Sequence, residues 1–354
     1  MIAKCDEDGE EEKGSKSAEV AAALKRLEWY PNTAAWQLNI DKKDMRKNIK
    51  TLQDFLLREV SVGNIVRMEA VSMIPAIVLG PRPGELVLDM CAAPGSKTGQ
   101  LLEMVVASGE HGALNSVLQH GGAVLANDPD IKRARMMIHR AKSLSSPSLV
   151  VTALPGQSFP KLLSDDNTEL LFDRVLCDVP CSGDGTIRKS PYTLKRWHPT
   201  HGIQIHLLQL QLLRRSVEIT KVGGRIVYST CSLNPLENEA VVAQVVADSK
   251  GALRVLDCPP RLSALRRRKG LTSWSVPDMN SIDLLYDSFD SIPEARNHKA
   301  RERGGFSKRG LLRSMFPPSS EDADKIGLER CMRFYPQDAD TGGFFVTLLE
   351  KTGD

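Results

Sequence analysis

The chain has few aromatic residues and little net charge, and it lacks both Cys-x-x-Cys pairs and long apolar runs. Aromatics make up 5% of its 354 residues, too few to announce a stacking platform for single-stranded nucleic acid. The formal net charge is +3 and the pI about 8.4. That is far from the strongly basic footprint of a dedicated nucleic-acid binder, though it is compatible with local basic clusters. None of the seven cysteines falls in a Cys-x-x-Cys pair, so no structural zinc or other metal site is expected. No apolar run is long enough to span a bilayer, and no membrane partner is expected. An odd cysteine count without a secretory leader points to free thiols in a reducing compartment, and to a soluble intracellular protein. Gly-x-Gly-x-x-Gly and Gly-x-x-x-x-Gly-Lys-Ser/Thr are also missing, which removes the dinucleotide and P-loop readings.

What is present is 41% hydrophobic residues, enough for a sizeable core, at a length that allows one large domain and a smaller one. Residues 1–18, with Asp6-Glu7-Asp8-Gly9-Glu10-Glu11-Glu12, form an acidic tail expected to be disordered. Residues 19–80 show amphipathic helical patterns anchored by Trp29, Tyr30, Trp36 and Leu38. The charged stretch from Asp41 to Lys50 is, taken alone, an exposed helix face, with a phosphate-contacting patch as the alternative. Val71–Leu79 is apolar and interrupted by Pro75, and is expected to pack as a short helix.

From Glu85 to Asp257 the pattern alternates. Short apolar runs at Glu85–Asp89, Ala123–Asn127, Ser148–Ala153, Arg174–Asp178 and Arg225–Thr230 predict buried parallel strands. Helical patterns lie between them at Lys97–Ala107, Asp130–Leu144, Ile203–Thr220 and Asn238–Ser249. This rhythm predicts an α/β fold, a doubly wound, mostly parallel Rossmann-like sheet over residues 81–354 with a small helical region before it. Residues 261–341 break the rhythm as a long basic excursion, with Arg266-Arg267-Arg268-Lys269 and then Arg296, Lys299, Arg301, Arg303, Lys308, Arg309 and Arg313. A last strand returns at Gly342–Leu349.

In such sheets ligands bind beyond the carboxyl ends of the strands. Asp89, Asp128, Asp178 and Cys231 are predicted to sit there. Ala92-Ala93-Pro94-Gly95-Ser96-Lys97-Thr98 follows a strand and opens a helix, so its small residues admit a ligand to backbone and its helix N-terminus favours an anionic group. Lys97 can pair with a carboxylate, and Asp128 can accept hydrogen bonds from ribose hydroxyls. A ribose joined to a carboxylate suits S-adenosyl-L-methionine. The bland alternatives are an exposed first-turn lysine and a helix N-cap aspartate. Two cysteines also top predicted adjacent strands, Cys181 in Asp178-Val179-Pro180-Cys181-Ser182-Gly183 and Cys231 in Tyr228-Ser229-Thr230-Cys231-Ser232. A cofactor cradle beside two thiols points to chemistry in which sulfur attacks a substrate. Position alone does not say which sulfur does so. Cys91, Cys177 and Cys258 lie in apolar contexts and are expected to be small buried hydrophobes.

Three blocks carry a family likeness: Val87–Thr98, Cys177–Thr186 and Tyr228–Glu239. They resemble the Nop/Sun-domain RNA cytosine-5 methyltransferases. Trp29–Leu38 and Thr341–Val346 look like the eukaryotic tRNA-modifying branch. The resemblance implies that Cys91, Ala92, Ala93, Pro94, Gly95, Ser96 and Lys97 contact the methionine end of S-adenosyl-L-methionine. It implies that Asp128 binds the ribose and that Asp178 lies near both cofactor and base. It makes Cys231 the nucleophile and Cys181 the cysteine that assists release. It implies an RNA partner, most readily tRNA, contacts from the 19–80 region to that RNA, and a nuclear location with the cytoplasm as a second compartment. Asp178 is the best-placed acceptor for the C5 proton, with binding of the cytosine edge as a competing role. Arg188, Lys189 and the basic excursion are expected to hold phosphates. One departure is plain: Pro155 stands where the family usually has an acidic residue near the adenine. The rival readings are a non-catalytic RNA-binding relative and the same chemistry on ribosomal RNA.

Overall fold

The computed structural model describes residues 24–38, 40, 42–106, 122–141, 146–293 and 310–353. The expected acidic tail and much of the excursion's basic run, Arg296 to Arg309, lie outside the described residues. The chain divides into two compact units, one of residues up to 67 with 261–265, the other of 68–260 with 266–354. In the first unit β1 (Leu24–Arg26) pairs antiparallel with β2 (Trp36–Leu38), and helices α1 (Lys42–Asn48) and α2 (Lys50–Ser61) follow.

The second unit begins earlier than residue 81. Its first helix, α3 (Ile74–Leu79), is buried at every position. Pro75 sits in its first turn, where a missing N–H costs no hydrogen bond. Gly80 closes it in the left-handed region with φ +54°. The parallel core follows the alternation in the sequence: β3 (Leu86–Asp89), α4 (Ser96–Val106), β4 (Ala123–Asn127), α5 (Ile131–Ala141), β5 (Leu149–Thr152), β6 (Phe172–Asp178), α6 (Thr200–Glu218), β7 (Thr220–Thr230) and α7 (Glu239–Asp248). Then come β8 (Leu253–Leu256), β9 (Arg268–Lys269), β10 (Met332–Phe334) and β11 (Phe344–Lys351). The sheet runs β9-β10-β11-β7-β6-β3-β4-β5, with β8 added on β11. The five strands from β7 to β5 are mutually parallel, and β8 to β11 pair antiparallel.

Burial explains why these runs became strands. Val87, Leu88, Val124, Val175, Leu176, Ile226 and Val227 are fully or almost fully buried, as expected for parallel strands covered on both faces. The sheet reverses direction around β3, whose neighbours are β6 on one side and β4 on the other, so the crevice beyond its carboxyl end is the natural ligand site.

The excursion is more ordered than its composition foretells. Val276, Tyr286, Met315 and Phe316 form a small core with Ile203 and Leu236, to which Trp274 adds a flank. Among the described residues, Arg268 pairs with Asp338, Lys269 with Glu329, and Arg313 with Asp290. Arg333 is buried in a bidentate pair with Glu239, both bonds 2.6 Å, and also donates to the Leu233 carbonyl. Removing one member of such a pair strands the other charge, at a cost of about 3–5 kcal/mol.

His206 on α6 is buried with Nδ1 2.6 Å from the Leu236 carbonyl oxygen and Nε2 2.9 Å from Ser314 Oγ. Burial is the main cause that lowers its pKa from the ordinary 6.5 to about 4. The unfolded chain therefore takes up a proton near pH 6.5 that the folded chain refuses until about pH 4. The stability this histidine contributes is complete above pH 6.5 and is lost as the pH falls through that window. Denaturant unfolding between pH 7 and 4 is expected to show a slope that flattens in His206→Gln; an identical slope in the variant would contradict it.

Candidate active site

Parallel pairing of β6 and β7 builds the centre. Asp178 stands opposite Ser229, and Val179 N–H donates to the Ser229 carbonyl at 3.0 Å. The two strands therefore end at the same level, and the residues just beyond them converge. Cys181 Sγ and Cys231 Sγ lie 3.1 Å apart, although fifty positions separate them. The loop after Cys181 turns back to hold this arrangement. Gly185 N–H donates to the Cys231 carbonyl at 2.9 Å, and Gly343 N–H donates to the Gly185 carbonyl at 2.8 Å. A Cβ on Gly185 would stand 2.7 Å from the Cys231 oxygen and closer still to the Gly343 oxygen, so only glycine fits.

The thiols sit beside a fixed ion pair. Lys97 Nζ is 2.8 Å from Asp178 Oδ2, and Ser229 Oγ donates to Asp178 Oδ1 at 2.6 Å. Lys97 also lies 5.4 Å from the centre of the Phe344 ring. Burial opposes the lysine's charge, but Asp178 outweighs it, with Asp89 and Cys231 adding support, so its pKa is raised. Cys181 is held protonated: its hydrogen bond to Cys231 and then burial push its thiol well up, with the Cys231, Glu237 and Asp178 charges adding to both.

The cradle lies at the ends of β3 and β4. Gly95 turns it with φ +94°, where a Cβ would meet Met137 Cγ at 2.9 Å. Its N–H donates to the Ala92 carbonyl at 2.7 Å, and α4 starts at the next residue. Thr98 Oγ1 donates to Asp89 Oδ2 at 2.7 Å. The other oxygen, Oδ1, is buried and has no hydrogen-bond partner among the described residues, and burial raises the Asp89 pKa to about 7. Asp128 is buried, taking the Asp130 N–H on Oδ1 at 3.1 Å, while Oδ2 lies 3.3 Å from Arg133 Nη2. These groups fit S-adenosyl-L-methionine. The helix start suits its carboxylate, the spare acceptor on Asp89 suits an ammonium, and Asp128 suits hydroxyls. A cleft of about 670 Å³ reaches Cys181 and Ser182 and is lined also by Gln157, Gln204 and Leu208 among others.

The family model for 16S rRNA methyltransferase RsmB/F matches residues 76–286. The chain belongs to this family. Among its relatives, a tRNA (cytosine(34)-C(5))-methyltransferase of Drosophila melanogaster is 44% identical over 92% of this chain and 42% of its own length. A multisite-specific tRNA:(cytosine-C(5))-methyltransferase of Saccharomyces cerevisiae is 44% identical over 93% of this chain and 45% of its own. The chain thus spans less than half the length of these two relatives. A methyltransferase homologue from Pyrococcus horikoshii has the same fold, with TM-score 0.55, 22% identity, and coverage of 96% of this chain and 82% of that one.

Within this RsmB/F domain the structure gathers every residue singled out from the sequence at the strand ends. Cys91 to Lys97 and Asp128 frame the cradle, while Asp178, Cys181 and Cys231 meet at the thiol pair. The N-cap alternative for Asp128 gives way to Asp130, whose Oδ1 accepts the Lys132 and Arg133 N–H groups. Cys177 and Cys331 are buried, and burial raises both thiols to about 12, which makes them inert. Cys91 and Cys258 are only partly covered. Arg188 pairs with Asp340 and Lys189 with Glu69, so neither is a bare phosphate contact. Pro155 and Gln157 are exposed.

Several residues were not foreseen. Asn127, fully buried, donates to the Met90 and Leu154 carbonyls and accepts from Leu154 N–H, tying three strand ends together. Arg133 bridges Asp128 and the Ala93 carbonyl. Ser229 steadies Asp178. Only the position of Asn127 and Ser229 at strand ends could have marked them. Gly185→Ala is expected to cost about 1–3 kcal/mol by overpacking and to separate the sulfurs. Thermal melting and oxidative cross-linking of Cys181 to Cys231 check this, and wild-type cross-linking in the variant would contradict it.

Proposed function

We propose that this chain transfers a methyl group from S-adenosyl-L-methionine to C5 of a cytosine in tRNA. The sulfur pair supports this reading most directly: two thiols 3.1 Å apart, at the mouth of a cradle that fits the methyl donor. Cytosine C5 is a weak nucleophile. When the Cys231 sulfur bonds to C6, the C5–C6 π pair becomes available at C5 for the new bond to the methyl carbon. The cofactor, when bound, supplies that methyl as an electrophile. Loss of the C5 proton to a base then restores the double bond as the S–C6 bond breaks and the sulfur leaves with its electron pair.

The two sulfurs divide these tasks. Lys97 places a cation beside Cys231, the attacking sulfur. Cys181 keeps its proton and, at 3.1 Å, can donate it as a hydrogen bond to the departing sulfur. Lys97 and Asp178 together present a donor and an acceptor, which suits the O2 and N4 groups of a cytosine edge. A base in folded RNA must first be turned out of its stack, at a cost of roughly a few kcal/mol.

The choice of tRNA rests on relatives named for tRNA methylation that align along 92% and 93% of this chain. Ribosomal RNA is the second reading, favoured by the wording of the matched family description. Transfer of labelled methyl to unmodified tRNA and to ribosomal RNA, followed by nuclease digestion, tests both. 5-Methylcytidine in the tRNA digest is expected, and its absence from both digests would overturn the proposal. Cys181→Ala is expected to accumulate a covalent RNA–protein adduct that survives denaturing gels, because the departing sulfur has lost its donor. Cys231→Ala is expected to give none. An adduct in Cys231→Ala would exchange the two roles.

A further inference from the structure

Glu237 lies outside both cysteine motifs, yet its carboxylate touches both. It is fully buried. Oε2 accepts the Ser182 N–H at 2.8 Å and Gln209 Nε2 at 3.3 Å. Oε1 accepts Ser182 Oγ at 2.5 Å and Ser232 Oγ at 2.8 Å. Ser182 directly follows Cys181, and Ser232 directly follows Cys231. Gln209, also fully buried, sends its amide to the Pro180 carbonyl at 2.9 Å, on the other side of Cys181. The backbone of Glu237 is itself held, because Tyr228 Oη donates to its carbonyl at 2.5 Å.

We propose that Glu237 is the positioning residue that fixes the distance between the two sulfurs, and with it the order of attack and release. The inference rests on the reading of the thiol pair given above. Each cysteine sits on a loop, and the Gly185 N–H bond to the Cys231 carbonyl ties the two loops through backbone. Strand pairing sets the level at which the loops begin, but not where their tips stand. A charged acceptor with a donor from each loop sets that, because such hydrogen bonds are shorter and stronger than neutral ones. Asn238 reinforces one side, donating to the Ser232 carbonyl at 2.9 Å and accepting from Thr230 Oγ1 at 2.6 Å.

The carboxylate has an electrostatic role as well. Burial raises its pKa, and the bonds from Ser182 and Ser232 oppose that rise. Cys181 faces Cys231, Glu237 and Asp178, all of which disfavour its thiolate. Lys97 is bound to Asp178, and Asp184 stands near Glu237. A glutamine at 237 removes the charge. It also offers one acceptor oxygen where two are used, and turns an NH₂ group toward donors.

The test compares Glu237→Gln with the wild-type chain in two ways. The first is methyl transfer to unmodified tRNA. The second is alkylation of Cys181 and Cys231 by iodoacetamide against pH, without RNA or cofactor, read by peptide mass spectrometry. The expected result is a fall in kcat on the order of 10²-fold, as for a misplaced reacting group, with KM for tRNA nearly unchanged. The Cys181 alkylation midpoint is expected to move to lower pH. Ser182→Ala, which keeps the N–H bond to Glu237, is expected to show a smaller loss of kcat. Unchanged kcat and an unchanged alkylation profile in Glu237→Gln would overturn the proposal, as would a loss that follows only the melting temperature. Should Glu237→Gln fail to fold, the Ser182→Ala and Ser232→Ala pair replaces it, and wild-type kcat in that pair overturns the inference. A wild-type chain that methylates no RNA defeats the functional reading instead, and the alkylation profiles still decide whether Glu237 sets the thiols.

Discussion

Everything at the centre depends on the parallel register of β6 and β7. Asp178 faces Ser229, so both strands stop together and their next residues meet above the sheet. A slip of one residue would turn the side chains of one strand to the opposite face. It would also pull apart the sulfurs that now stand 3.1 Å from each other. The register is secured from both directions. Buried aliphatic residues on both strands hold it below, and above it the glycine contact of Gly185 with Gly343 and Cys231 leaves no room for displacement.

A second constraint is charge. Asp89, Asp128 and Asp178 end three neighbouring or near-neighbouring strands, and an unpaired cluster of this kind would be costly to bury. Each is offset differently. Asp178 has Lys97 and Ser229, Asp128 has Arg133 and the Asp130 N–H, and Asp89 has Thr98 alone on one oxygen. Burial raises the Asp89 pKa to about 7, against the opposing hydrogen bond from Thr98. The same crowding leaves it one acceptor free for a ligand.

The basic excursion shows how composition can mislead. Arginine and lysine in a loop-like stretch pointed to phosphate contacts. Among the described residues, Arg268, Lys269 and Arg313 each meet an acidic partner, and Arg333 is buried against Glu239. Those partners come from residues as far as 94 positions away, so no local reading of the segment could have found them. Its aromatic and methionine residues instead make a small core with α6 and the segment before α7.

The sequence by itself determined the alternating parallel sheet, its strand ends and the residues that stand on them. Apolar runs bounded by turn residues can be satisfied in one way only, and the small-residue turn before α4 is local chemistry. The family likeness also lay there, in three contiguous blocks. Tertiary structure alone decided the rest. Strand pairing brought Cys181 to Cys231, and Lys97 found Asp178 across a distance in sequence that no pattern spans. Asp130 took the helix cap and left Asp128 to Arg133. Glu237 became the shared anchor of both cysteine loops. A hydrogen bond between distant residues leaves no periodic trace, because its geometry is set by the packing of whole elements and not by the neighbours of either residue.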